Sequence, residues 1–329
     1  PSSQPVSTIG GNVAENAGGA HCLKYGVTTN HVLGLTLVTP EGEVVRLGGK
    51  SLDAPGYDLV GLMVGSEGTM GIVTEVTVRL LRRPQGFKTV MALFDSVGQA
   101  SDAVSGVVAA GMLPGALEIM DKKAIIAVER GPLRVGYPEG QEAVLLIDVD
   151  GLGAGLDAQV EAILKICREA GCTEVRPAKS PEERLKWWTN RKGAFGAAGN
   201  LAPNYVVQDG VIPRSKLTEV LAVVAEVGEK YGLTIANVFH AGDGNLHPLI
   251  CYDEKVPGDT GKALKAGSEI LAACVRAGGT ISGEHGIGIE KMSDMKVVFS
   301  PDDLAVQRAV HDALDPRDLC NPGKIFPAE

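Results

Sequence analysis

"VFHAGDGNLHPLI", residues 238–250, sets two histidines on either side of a Gly-Asp-Gly core, with apolar residues before and after it. Asp-Gly between two apolar runs is the strongest short hairpin signal, because a type I′ turn needs positive φ at both central residues. With Asp243 and Gly244 at those positions, the register pairs Gly242 with Asn245, Ala241 with Leu246 and His240 with His247. Directly opposed residues share one face of a sheet, with Cβ atoms about 5 Å apart. That spacing suits two imidazoles converging on one ion, and it equally suits a solvated cross-strand pair. Either way the segment predicts antiparallel strands, and the fold class follows from what surrounds them.

From residue 88 to the C-terminal region, strands and helices alternate. The predicted strands are 88–94, 116–120, 142–149, 174–178, 204–212, 233–241 and 246–252. The predicted helices lie near 96–110, 157–171, 181–198, 214–230, 259–278 and 301–314. Strand–helix–strand repeats of this length predict split βαβ units on a largely antiparallel sheet. "PRSKLTEVLAVVAEVGEKYG" (213–232) has the grammar of a helix: Pro213 opens it, apolar residues recur at three and four, and Gly232 closes it.

Residues 1–86 have a different texture, glycine-rich and β-like. "HVLGLTLVTPEGEVVRLGG" (31–49) reads as two strands joined by a Pro-Glu-Gly turn. "LVGLMVGSEGTMGIVTEVTVRL" (59–80) reads as a short helix, a glycine loop and a β-branched strand, and "RRPQG" (82–86) as a linker. The expectation is therefore α+β, in two parts.

Composition excludes several functions. A net charge of −9 argues against nucleic acid as partner. No apolar run approaches the length of a membrane span, and no signal-peptide pattern opens the chain. The six cysteines are scattered without a C-x-x-C pair, which favours reduced thiols in the cytoplasm and excludes an iron–sulfur cluster of the usual spacing. Pro1 in place of methionine reads as processing or trimming.

A second polar constellation is "ISGEHGIGIEKM" (281–292), where Glu284 and His285 are bracketed by Gly283 and Gly286. On an extended strand these two side chains point to opposite faces, so one can complete a His/His/carboxylate set while the other works beside it. In "WWTNRKGAFGAAG" (187–199), Arg191 falls one helical turn after Trp187 and can offer a planar fork to a carboxylate. "STIGGNVAENAGG" (7–19) and "GSEGTMGIVT" (65–74) match neither the Rossmann nor the P-loop spacing, yet their small residues allow a backbone to approach a ligand closely.

Five motifs, "STIGGNVAENAGG", "GYDLVGLMVGSEGTMGIVTEVTVRL", "HAGDGNLH", "GEHGIG" and "NPGKIF", occur in the order seen in the flavin subunit of glycolate oxidase. The chain also resembles FAD-linked D-lactate and D-2-hydroxyglutarate dehydrogenases of the vanillyl-alcohol-oxidase fold group, over essentially its whole length. The resemblance implies part of an FAD-binding domain of the PCMH type over 1–86, a substrate or cap domain with an antiparallel sheet over 87–311, and a return to the FAD domain over 312–329. It places Ile9, Gly10, Gly11, Asn12, Asn16, Gly18 and Gly19 on the FAD, together with Gly65, Ser66, Gly68, Thr69, Gly71, Ile72 and Val73, and has Asn321 and Lys324 close over it. It makes His240, His247 and Glu284 ligands of a divalent metal, zinc or manganese. His285 becomes the catalytic base and Arg191 the carboxylate anchor.

The implied reaction is oxidation of a small D-2-hydroxy acid, of the glycolate or D-lactate type, to the 2-oxo acid. The electron acceptor would be a quinone, a carrier protein or an iron–sulfur subunit, through which a cytoplasmic protein could associate with a membrane. A homodimer is compatible with this reading. In the family, an N-terminal lobe with another glycine-rich loop precedes "PSSQPVSTIGG". Its absence from this sequence leads to the expectation that the chain holds one wall of the flavin site and binds FAD weakly or not at all. Two other classes stay open: a metal-dependent hydrolase with His285 or Glu284 as base, and a non-catalytic subunit of an oxidase complex.

Overall fold

The computed structural model describes residues 3–51 and 55–328. The chain divides into two compact units, one made of Pro1–Gly19, Tyr25–Arg82 and Ile281–Glu329, the other of Ala20–Lys24 and Arg83–Thr280. The chain passes back to the first unit at Ile281, whereas the sequence reading put that return at residue 312.

The first unit is built on a three-stranded antiparallel sheet of β1 (Val32–Val38), β2 (Val44–Gly48) and β3 (Ile72–Val78), in the order β2-β1-β3. Its core is small: Val13, Val32, Leu35, Leu37, Met63 and Val64. The two strands and turn expected in 31–49 are present. The β-like reading of residues 10–19 is corrected, because Ile9–Glu15 is an α-helix. Gly10 and Gly11 each lower helix propensity by about 1 kcal/mol relative to alanine. The Thr8 side chain offsets part of this by accepting the Gly11 amide at 3.0 Å, and Asn16 ends the helix in the left-handed region at φ 48°. Helix Pro301–Leu314 follows its prediction, with Ser300 and Asp303 forming a reciprocal capping box.

The second unit is a mostly buried antiparallel sheet. Its strands are β4 (Gly86–Phe94), β5 (Ala116–Asp121), β6 (Ala143–Gly151), β7 (Glu174–Pro177), β8 (Asn204–Val207), β9 (Gly210–Val211), β10 (Thr234–His240), β11 (Asn245–Leu246) and β12 (Pro248–Tyr252). The order is β7-β4-β6-β5-β10-β11-β9, and β12 joins β10 to β8. Because β6 lies between β4 and β5, and β4 between β6 and β7, each strand–helix–strand unit is split by an antiparallel strand, as its sequence pattern predicted.

Alternation along the strands divides two cores. Val90, Ala92, Leu145, Ile147, Leu117 and Ile119 face one way and pack with residues of helices Val97–Ala109, Leu156–Glu169, Leu217–Tyr231 and Asp259–Arg276. Met91, Leu93, Val144, Leu146, Met120 and Val238 face the other way and pack with Trp187, Trp188 and residues of helix Lys122–Glu129. That helix was absent from the sequence reading; Asp121 caps it by accepting the Ala124 amide at 2.9 Å. The short segment 20–24 belongs here because the His21 Nδ1 lies 2.6 Å from the Gly115 carbonyl and Lys24 pairs with Asp150. The strand expected over 204–212 breaks into β8 and β9, and the one over 246–252 breaks at His247.

Candidate active site

The 238–250 hairpin forms, in a different register from the one predicted. His240 faces Asn245, Asn237 faces Pro248 and Ala236 faces Leu249. The turn is longer than two residues and closes through a Gly244 amide donating to the His240 carbonyl at 3.1 Å. Gly244 has φ +81° while Asp243 is outside the positive region, so the type I′ geometry is excluded. The slip moves His247 by two positions, and a shift of two leaves a strand residue on the same face. The two imidazoles therefore still meet, as diagonal neighbours, with ring centroids 5.1 Å apart and planes at 87°. Phe195 presents an edge to His247 at 5.3 Å.

Behind His240 stands a residue the sequence reading missed. Glu118 on β5 lies directly opposite His240 on β10. The His240 Nδ1–H donates to its carboxylate, 2.8 Å from Oε1 and 2.9 Å from Oε2. The Arg191 guanidinium pairs with the same carboxylate, Nη2 to Oε2 at 2.5 Å. Asp209, between β9 and its preceding strand, sits 3.5 Å from the His247 Nε2. All five side chains are almost wholly inaccessible: Arg191 is 2% exposed and His247 and Asp209 are at 0%. Charges at such depth persist only where opposite charges and hydrogen bonds replace water, so this cluster is costly to build by accident. The signal was available: Glu118 interrupts the otherwise apolar run "ALEIM" (116–120).

Arg191 lies in helix Pro181–Lys192, which Ser180 caps. Trp187 precedes Arg191 by one turn in that helix, and the guanidinium over the Trp187 ring, 4.9 Å from its centroid, is that of Arg176.

Two imidazoles, one with its Nδ1 proton committed to a carboxylate, are the donor chemistry of zinc- or manganese-type sites, and they fit the histidine share of a divalent metal. Glu284 and His285 belong to the first unit. They lie in a loop and not on a strand, with the His285 Nε2 3.6 Å from Glu284 Oε1. The loop turns tightly, since the Gly286 amide donates to Ser282 Oγ at 2.9 Å with φ +78° at Gly286.

The residues expected on FAD all lie in the first unit, and many are joined. The Gly65 amide donates to the Val13 carbonyl at 2.8 Å and the Glu67 amide to Ala14 at 2.7 Å, binding the 65–69 loop to the end of helix Ile9–Glu15. Thr69 Oγ1 donates to the Ser66 carbonyl at 2.7 Å, and Asn321 Nδ2 to the Glu67 carbonyl at 2.7 Å. Ile72 and Val73 are on β3, paired with Val38 and Leu37, whereas Lys324 donates to the Pro322 carbonyl at 3.2 Å. A Cβ on Gly10 or Gly68 would meet nothing within 4 Å, whereas one on Gly71 would meet the Val38 carbonyl oxygen and one on Gly65 the Asn16 side chain.

Glu67, also missed from sequence, occupies the left-handed region at φ 54°. Its carboxylate accepts the Ile287 amide at 2.6 Å and the Gly288 amide at 2.7 Å. It thus ties the expected FAD loop to the loop bearing Glu284 and His285. Glu15 stands near it, its carboxyl raised to about 7 by burial, then by the Glu67 charge, with Lys291 opposing.

The chain that carries these glycine-rich loops and this buried imidazole–carboxylate cluster belongs to the FAD-linked oxidases. Residues 83–325 match the family model "FAD linked oxidases, C-terminal domain", and residues 1–48 match "FAD binding domain". Among curated relatives, the glycolate oxidase subunit GlcD of Escherichia coli (strain K12) is 47% identical over 99% of this chain and 65% of its own length. GlcD of Bacillus subtilis (strain 168) is 38% identical over 99% of the chain and 69% of its length. A D-lactate dehydrogenase of Anaerostipes hadrus is 33% identical over 98% and 70%. The chain spans 65% of the length of the first of these relatives.

Among solved structures, p-cresol methylhydroxylase superposes with a TM-score of 0.79 at 15% identity, covering 99% of this chain and 71% of that one. A 4-ethylphenol oxidase from Gulosibacter chungangensis gives 0.74 at 16% identity, covering 98% and 70%. The fold is accordingly that of the vanillyl-alcohol-oxidase group, mixed helix and antiparallel sheet. Among the described residues, no helix is long and apolar enough to cross a membrane.

Proposed function

We propose that this chain serves the FAD-linked oxidation of a small D-2-hydroxy acid, glycolate or D-lactate in type, to the corresponding 2-oxo acid. The observation that carries this reading is the buried His240–His247 pair with Glu118 and Arg191 beside it, in a chain whose relatives include glycolate oxidase subunits and a D-lactate dehydrogenase. Bound FAD would supply the hydride acceptor, and a bound divalent cation would make the 2-hydroxyl more acidic. The residues proposed to hold the cation are His240, His247 and, from the sequence reading, Glu284.

Arg191 has the role of pairing with the substrate carboxylate and fixing which face of C2 is presented. His285, 41% exposed and set in a glycine-flanked loop, has the role of taking the hydroxyl proton. A second reason favours Glu284 over His285 as ligand: an anionic oxygen offsets cation charge, which leaves an imidazole free as base. The Phe195 ring edge shields His247 on one side. Electrons would leave to a quinone, a carrier protein or an iron–sulfur subunit. The proposal includes a cytoplasmic location, with any membrane association made through that acceptor.

The test is spectroscopic. Protein joined to the N-terminal FAD-binding lobe of the family and supplied with FAD and Zn²⁺ or Mn²⁺ should bleach at the flavin band on anaerobic addition of glycolate or D-lactate, and chelation should slow the bleaching. Flavin binding with no bleaching by any small D-2-hydroxy acid would refute the proposed reaction.

A further inference from the structure

The geometry points to Glu118 as the positioning residue of this site: a single buried carboxylate that sets the tautomer of His240 while holding Arg191. The inference rests on the reading of His240 as a metal ligand and Arg191 as the carboxylate anchor, and it names what makes the first of them competent.

The argument begins with the ladder. Met120 faces Val238, Ile119 faces Phe239 and Glu118 faces His240, so the position of Glu118 relative to His240 is set by backbone pairing within one buried sheet. Neither partner has room to turn away, since Glu118 is 1% exposed and His240 2%. Both carboxylate oxygens lie within hydrogen-bonding distance of the His240 Nδ1, and Oε2 is shared with Arg191.

Donor and acceptor bookkeeping then decides the tautomer. An ionised carboxylate only accepts and a guanidinium only donates. With Arg191 and His240 on one carboxylate, the imidazole nitrogen facing it must carry the proton. The neutral ring therefore keeps its lone pair on Nε2, the nitrogen through which it would hold a cation. The same carboxylate neutralises Arg191, whose charge would otherwise be buried beside two imidazoles.

A glutamine at this position has nearly the same shape but one acceptor and one donor end. Arg191 can use only the amide oxygen. The NH₂ is then left to face His240, where it donates to Nδ1 and drives the ring to the Nε2–H tautomer. That tautomer has no lone pair for a metal. Glu118→Gln therefore acts as a tautomer switch, and the switch depends on Arg191. If Arg191→Met is added, the amide oxygen is released, can turn to the Nδ1–H, and restores the original tautomer.

The experiment uses long-range ¹H–¹⁵N correlation of the His240 ring in the metal-free protein, with Zn²⁺ binding by calorimetry alongside. The expected wild-type signature is Nδ1–H with an unprotonated Nε2. Glu118→Gln should show Nε2–H, with Zn²⁺ affinity lower by about 10- to 100-fold, the usual effect of losing an outer partner of a ligating histidine. The Glu118→Gln/Arg191→Met double variant should return both the wild-type tautomer and most of the affinity. The ring signature is the discriminating readout: removing a stranded buried cation restores affinity through charge balance alone, whereas only a positioning carboxylate makes the proton move from Nδ1 to Nε2 in Glu118→Gln and back to Nδ1 in the double variant.

A wild-type His240 protonated at Nε2, a Glu118→Gln ring with the wild-type tautomer, or a double variant that behaves like Glu118→Gln each overturns the inference. If the wild type fails to bind Zn²⁺, the metal reading falls separately, because the ring signatures still decide the role of Glu118. Unlike the wild-type measurement, the variants must fold, and circular dichroism with tryptophan fluorescence checks this first.

Discussion

Gly244 offers a measurement of how tightly the histidine hairpin is held. Its φ of +81° is a conformation that costs an L-residue about 1–2 kcal/mol. A Cβ there would also overlap the Ile212 carbonyl oxygen, and this backbone cannot move freely because the Ile212 amide donates to the Gly244 carbonyl at 3.0 Å. Relieving the overlap should sacrifice that bond, a further loss of about 0.5–1.5 kcal/mol. Gly244→Ala is therefore expected to destabilise the second unit by about 1.5–3.5 kcal/mol in sum. Gly232→Ala is the control. It has a comparable φ of +66° at the end of helix Leu217–Tyr231, but nothing lies within 4 Å of its Cβ position, so only the backbone cost applies. Both tryptophans, Trp187 and Trp188, belong to the second unit, so urea unfolding followed by their fluorescence reports on that unit. Equal losses in the two variants, or a Gly244→Ala protein as stable as the wild type, would refute the reasoning.

Three further outcomes are expected. Glu15 is protonated in the folded state up to about pH 7 against an ordinary 4.5, so the folded state binds the extra proton between these values and stability of the first unit falls as pH rises through the window; Glu15→Gln should flatten that slope in amide exchange of β1–β3, and an unchanged slope would exclude Glu15 as its source. Burial raises the Cys167 and Cys274 thiols to about 12 and Cys251 to about 11, so a thiol reagent should reach only the half-buried Cys22, Cys172 and Cys320 before unfolding, and rapid labelling of all six would contradict this burial. Arg191→Lys keeps the charge and loses the planar donor set, and substrate affinity should fall by about 1.5–3 kcal/mol in equilibrium titration, whereas unchanged affinity would move the carboxylate anchor elsewhere.

Some parts of the site were readable and others were not, for reasons that differ residue by residue. His240 and His247 were legible because their spacing and the Asp-Gly turn put them on one face, and the face survived a two-residue error in register. Glu118 was invisible as a partner because it lies 122 residues from His240 in sequence, and only the pairing of β5 with β10 brings them together. Glu67 is hidden in the same way, 220 residues from the Ile287 amide it accepts. Helix Ile9–Glu15 was misread since its two glycines argue against a helix locally, while its Thr8 cap and its bonds to the 65–67 loop hold it.

Sequence periodicity alone determined that this protein is α+β, that its larger part is built of split βαβ units, and where most of their strands and helices run. Those features depend on side-chain alternation and helix spacing, which are local and survive small errors of boundary. Only the tertiary structure decided the hairpin register, the unit to which each loop belongs, and the carboxylate behind each histidine. These depend on contacts between distant segments and on single backbone angles such as that of Gly244, where burial and hydrogen-bond closure outweigh local preference.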